Sequence, residues 1–262
     1  MNLASILRRE RTIIAMGLVG LIVVAWIYLW EGAGMGMSAL DMTTLTFFPH
    51  LQPEVPGSMP VSWLVVVAMW WIMMVAMMTP SSAPLVLLYG VVLRRHTQDL
   101  HDVFILTLML LSGYLVSWLA FALVATAFQQ ALQPVGLLSE MMLWSRSRTL
   151  SAVVLALAGL YQFSTFKHKC LTQCRSPVRF LTHYWRPGRG GSFMLGLRHG
   201  AYCVGCCWML MALLFVGGVM NLVWIAVLTI IVLLEKISPA GAKIGRVSGG
   251  LLLCWAAATL FV

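Results

Sequence analysis

Seven apolar stretches separated by short polar segments run along the chain, at about residues 12–30, 61–93, 103–128, 150–166, 199–218, 220–235 and 247–262. About 20 apolar residues in helical form cross a hydrocarbon core of ~30 Å, and helices satisfy their own backbone groups there. The pattern predicts an all-α, polytopic membrane helix bundle of about seven transmembrane helices, a single domain over residues 1–262. The second stretch carries Pro80 and Pro84. Each proline removes a backbone donor and crowds the carbonyl four residues earlier, so a kink or break is expected there. The fifth and sixth stretches are divided by the turn formers Gly217, Gly218 and Asn221, the last read as a helix cap. Gly241, Gly245 and Gly249 repeat every fourth residue, as do Gly196 and Gly200, a spacing that lets helices approach closely.

Charge gives the bundle a direction. With a cytoplasmic N-terminus, the inner segments hold 15 of the 17 Lys and Arg, and the outer ones only Arg146 and Arg148. The positive-inside rule then predicts N-terminus in and C-terminus out, as a multi-pass protein of the bacterial inner membrane. The run behind Arg8, Arg9 and Arg11 is too long for a secretory h-region and lacks a cleavage pattern, so it is expected to stay as the first span. Residues 31–60 hold Glu31, Asp41 and Glu54 but no Lys or Arg, and are expected to form an outer loop or interfacial helix.

Composition excludes several function classes. The chain is 61% hydrophobic and 10% charged, far from the ~45–50% and ~25% of soluble domains. Its net charge of +9 sits at span ends, so membrane lipid rather than nucleic acid is the expected partner, including for the basic, aromatic 167–198 loop. There is no phosphate-binding glycine loop, no Ser/His/Asp arrangement and no intramembrane carboxylate pair, against a nucleotide cofactor, a hydrolase or a conventional proton-coupled pump. His50, His96, His101, His168, His183 and His199 fall in loops or at span ends, against haem.

The candidate chemistry is sulfur. CLTQC places Cys170 and Cys174 four apart, on one helix face if the fourth span continues past Phe166. CVGCC places Cys203, Cys206 and Cys207 on one side of the fifth span. Both clusters are expected at the cytoplasmic end, where thiols stay reduced. Lys167, Lys169 and Arg175 flank the first pair and are expected to favour the thiolate form. Five such thiols suit Cu(I) or Zn(II), with His199 and His168 as auxiliary ligands, although a cysteine can equally be a small buried hydrophobe, the reading given to Cys254. Met73, Met74, Met77 and Met78 form two pairs before the proline kink. Thioethers are soft, neutral donors for Cu(I), and methionine is also ordinary filler. Glu235 and Lys236 end the sixth stretch as a structural ion pair or, alternatively, a proton or metal relay; helical neighbours do not face each other, so each needs another partner, Arg198 or a loop arginine for Glu235.

The segments MMVAMMTPSSAP, YQFSTFKHKCLTQCRSP, HYWRPGRGGSF, GLRHGAYCVGCCWMLM, FVGGVMNLVWIAVL and LEKISPAG resemble the bacterial family of predicted metal-binding integral membrane proteins, a family of unknown function, over about residues 70–252. The matching positions are Met77, Met78, Pro80, Pro84, Lys167, Cys170, Cys174, Arg175, Pro177, Cys203, Cys206, Cys207, Trp208, Asn221, Glu235 and Lys236. The resemblance implies a polytopic protein whose metal binding is proposed from its cysteines, with no reaction assigned. The expected function is thus binding of a soft transition metal, copper foremost, by Cys170, Cys174, Cys203, Cys206 and Cys207, with transfer to or from a donor or acceptor protein. Two alternatives stand beside it: a membrane thiol–disulfide oxidoreductase cycling Cys170/Cys174 against Cys203/Cys206, and a non-catalytic assembly subunit with structural cysteines.

Overall fold

The computed structural model describes residues 3–34, 43, 48, 62–96, 99–138 and 144–261, with the backbone alone for 3–10 and 96. Ten helices form among them: α1 (Leu3–Trp30), α2 (Trp63–His96), α3 (Leu100–Leu132), α4 (Arg148–Gln162), α5 (Thr165–Arg175), α6 (Pro177–Tyr184), α7 (Gly188–Ala212), α8 (Leu214–Gly217), α9 (Leu222–Ile237) and α10 (Gly241–Phe261). Five segments are long and apolar enough to cross a membrane: Arg11–Trp30, Trp63–Arg95, Leu100–Leu132, Gly188–Gly217 and Gly241–Phe261. The α4–α5 pair, bent by 63°, makes a sixth if counted as one. α9 is apolar but only 16 residues long. The outward faces of the long helices are themselves apolar, as at Val24, Leu64, Val124 and Leu251.

α3 and α7 pack most extensively. Glycine is required at their contact: a Cβ on Gly196 would strike the Leu110 carbonyl oxygen, and one on Gly113 the Phe193 carbonyl oxygen. Ser117 ties the seam by donating to Leu197 O at 2.9 Å. α4 and α10 meet similarly, with the Cβ position of Gly249 2.7 Å from Gln162 Cβ.

Three expectations change. Of the kink or break expected at Pro80 and Pro84, the break does not occur: α2 runs through both as one helix. Hydroxyls gather on that turn: Ser81 and Tyr114 both donate to Met78 O, at 2.8 and 2.9 Å, and Ser82 to Thr79 O at 2.9 Å. The fourth stretch does not continue past Phe166 as one helix. It ends at Gln162, and Ser164 restarts it as α5 by accepting from Lys167 N at 3.1 Å, which produces the 63° bend. The basic 167–198 segment is largely helical, as α5, α6 and the beginning of α7, because Pro177 opens α6 and Gly188, at φ 80°, opens α7. Nearly all of the 31–60 segment lies outside the described residues.

Candidate metal centre

The helical period puts Cys203, Cys206 and Cys207 on the inner side of α7, each 1% exposed. The Ser164 bend lays α5 against α7. From there the half-buried Cys174 packs against the core that holds Cys203, Cys206 and Cys207, beside the first two. Four thiols from two helices are thus gathered in one part of the core. α2 adds a fifth sulfur, with Met78 Sδ 3.8 Å from Cys207 Sγ.

Polar groups close the site. Lys236, from the last turn of α9, donates to Cys203 Sγ at 2.8 Å and to Ser81 Oγ at 3.0 Å. The Tyr114 hydroxyl of α3 stands 3.2 Å from Cys203 Sγ. Cys206 and Cys207 donate to Cys203 O at 3.2 and 2.8 Å, so both thiols are turned toward their own helix. Among the described residues, no three His, Cys, Asp or Glu side chains are arranged to hold an ion.

The other candidates divide. Cys170 is buried, its Sγ 3.0 Å from the Cβ position of Gly205 on α7, and among the described residues it makes no hydrogen bond to the other thiols. Met73, Met74 and Met77 are fully buried in the same apolar core. His199 is buried one turn before Cys203, its ring 5.8 Å from that of Tyr114 and 5.2 Å from that of Phe180, and Nδ1 has no hydrogen-bond partner among the described residues. His168 lines a separate cavity with Thr172, Arg175 and Ala242. Cys254 is exposed, not buried.

The cations expected at the thiols are used elsewhere. Lys167 pairs with Glu235 at 2.6 Å, at 1% and 3% exposure, and also donates to Gln162. Arg175 donates to Ser238 O and Pro239 O, at 2.7 and 3.0 Å, and Lys169 faces outward. Arg198 lies over the Tyr184 ring at 5.2 Å, and the partner of Glu235 is Lys167 instead. Tyr114 and Ser81 carried no signal in the sequence, and Lys236 stood there only as a structural ion pair or relay candidate beside Glu235, not as a partner of the thiols. One signal was available for Lys236: consecutive helical residues project about 100° apart, so with Glu235 and Lys236 side by side, each must find its own partner inside the bundle.

The family model described as PpoB2, copper chaperone, matches residues 67–259. The chain belongs to that family. This copper chaperone family match spans every sulfur named above, from Met73 to Cys254, and every helix that builds the site. No curated protein and no solved structure matches the chain.

Proposed function

We propose that this copper chaperone family member holds Cu(I) at Cys174, Cys203, Cys206 and Cys207, with Met78 as a neutral fifth donor, and passes it to or from a partner protein. The observation that carries this reading is the meeting of the α5 and α7 thiols with the Met78 thioether. An all-sulfur donor set suits a soft ion such as Cu(I) better than a hard one. Loading releases thiol protons and requires Cys206 and Cys207 to rotate off the Cys203 carbonyl. The buried Met73, Met74 and Met77 offer thioether steps along α2, and His199 stands as an auxiliary ligand behind Cys203. On this reading the chain crosses the bacterial inner membrane seven times, the α4–α5 pair and α9 included, with the thiols near the cytoplasmic face. The distribution of Lys and Arg supports that orientation.

Elemental analysis of the purified full chain tests the proposal. Copper is expected near stoichiometry in wild type and in Cys170→Ser, reduced in Cys174→Ser and lost in the Cys203→Ser/Cys207→Ser double variant. Copper retained at full occupancy in the double variant rules the site out, and zinc in its place rules out the copper assignment. The position of Cys174 beside Cys203 and Cys206 also favours the second reading, a dithiol–disulfide cycle. Its mark is a reversible Cys174–Cys203 or Cys174–Cys206 crosslink after mild oxidation, read by peptide mass spectrometry.

A further inference from the structure

Lys236 is 7% exposed and is held by one thiol and one hydroxyl, Cys203 Sγ and Ser81 Oγ. The nearest carboxylate along the chain, Glu235, is committed to Lys167, Gln162 and Ser248. The rest of the lining is sulfur, the Tyr114 hydroxyl and apolar core. A positive charge is therefore fixed against the thiols, with no carboxylate among the described residues bonded to it. An uncompensated charge in such surroundings is costly, so the total charge of site plus ion governs which ion is retained.

We propose that Lys236 sets this charge and makes the sulfur site select a monovalent soft ion over a divalent one. The inference rests on the copper reading above and adds to it the basis of selectivity. Two thiolates, one Cu(I) and the Lys236 ammonium sum to zero, and Met78 completes the coordination without adding charge. The same donors around Zn(II) leave a net positive charge inside the protein. A divalent ion reaches neutrality only when a third thiol also gives up its proton, one deprotonation more than a monovalent ion requires. Replacing the ammonium by a neutral side chain reverses the preference, since two thiolates then balance a divalent ion and leave a monovalent one with an excess negative charge.

The test uses the full-length protein in detergent, with Ag(I), a monovalent soft ion stable to air, and Zn(II) titrated separately against competing chelators. Wild type is expected to bind Ag(I) more tightly than Zn(II). Lys236→Met is expected to lower the ratio of the two affinities by at least about tenfold, or ~1.4 kcal/mol, and the charge-preserving Lys236→Arg to keep most of it. If Lys236→Met does not fold, Lys236→Gln, which can still bond to Ser81, is read in the same way. A merely structural lysine would lower both affinities together, and an unchanged ratio in a folded neutral variant overturns the proposal while leaving the copper reading intact. Wild type that binds neither ion removes the copper reading itself.

Discussion

The protein buries two lysines in opposite circumstances. Lys167, at the start of α5, reaches a carboxylate and an amide, Glu235 and Gln162, and Gln162 in turn bonds Glu235 and Ser248 at 3.0 Å each. Lys236, one residue beyond Glu235, reaches a thiol and a hydroxyl. The first set is closed, with a formal charge on each side and amide groups filling the remaining valences. The second is open, since its partners are neutral when protonated and can be drawn away by a metal. Adjacent positions on α9 thus serve a buried ion pair and the thiol cluster.

Removing a partner should separate the two most clearly. Glu235→Ala strands the Lys167 ammonium in the interior, and a loss of about 3–5 kcal/mol is expected, read from unfolding in mixed detergent micelles. The double variant Lys167→Met/Glu235→Leu should cost less than Glu235→Ala alone, because no charge is left unpaired; a larger loss would mean that the pair holds α5 on α9 by its charge. Lys236→Met leaves only a thiol and a hydroxyl unsatisfied, and about 1 kcal/mol is expected. A penalty equal to that of Glu235→Ala would show that both lysines are fasteners. The smallest effects belong to two glycines, one beside each region. A Cβ at Gly205 lies 3.0 Å from Cys170 Sγ, so Gly205→Ala should cost roughly 1 kcal/mol by crowding. A Cβ at Gly245 has 3.5 Å to Glu235 Oε1, ordinary contact, so Gly245→Ala should change stability by at most about 1 kcal/mol, in the favourable direction.

The same contrast explains what was legible in the sequence. The 3.6-residue period and the apolar run lengths announce α1, α2, α3 and α10 because those helices depend on local pattern alone. Cys203, Cys206 and Cys207 were also readable, since their shared face follows from spacing on one helix. The separate roles of Cys170 and Cys174 were not, because they depend on a bend set by Ser164, a cap that interrupts an otherwise apolar run. Lys236 looked like an interfacial cation at a span end. Its direction is fixed by α2 and α7, distant in sequence, and no local pattern encodes where they meet α9.

The α3–α7 seam has a mechanical consequence. With backbone against backbone at Gly113 and Gly196, and Ser117 bonded across, α7 has no slack to slide or roll on α3. Three of the four thiols therefore ride on a helix seated backbone to backbone against α3. The fourth, Cys174, sits on α5, which is itself tied down at both ends, by Lys167 to Glu235 and by Arg175 to Ser238 and Pro239.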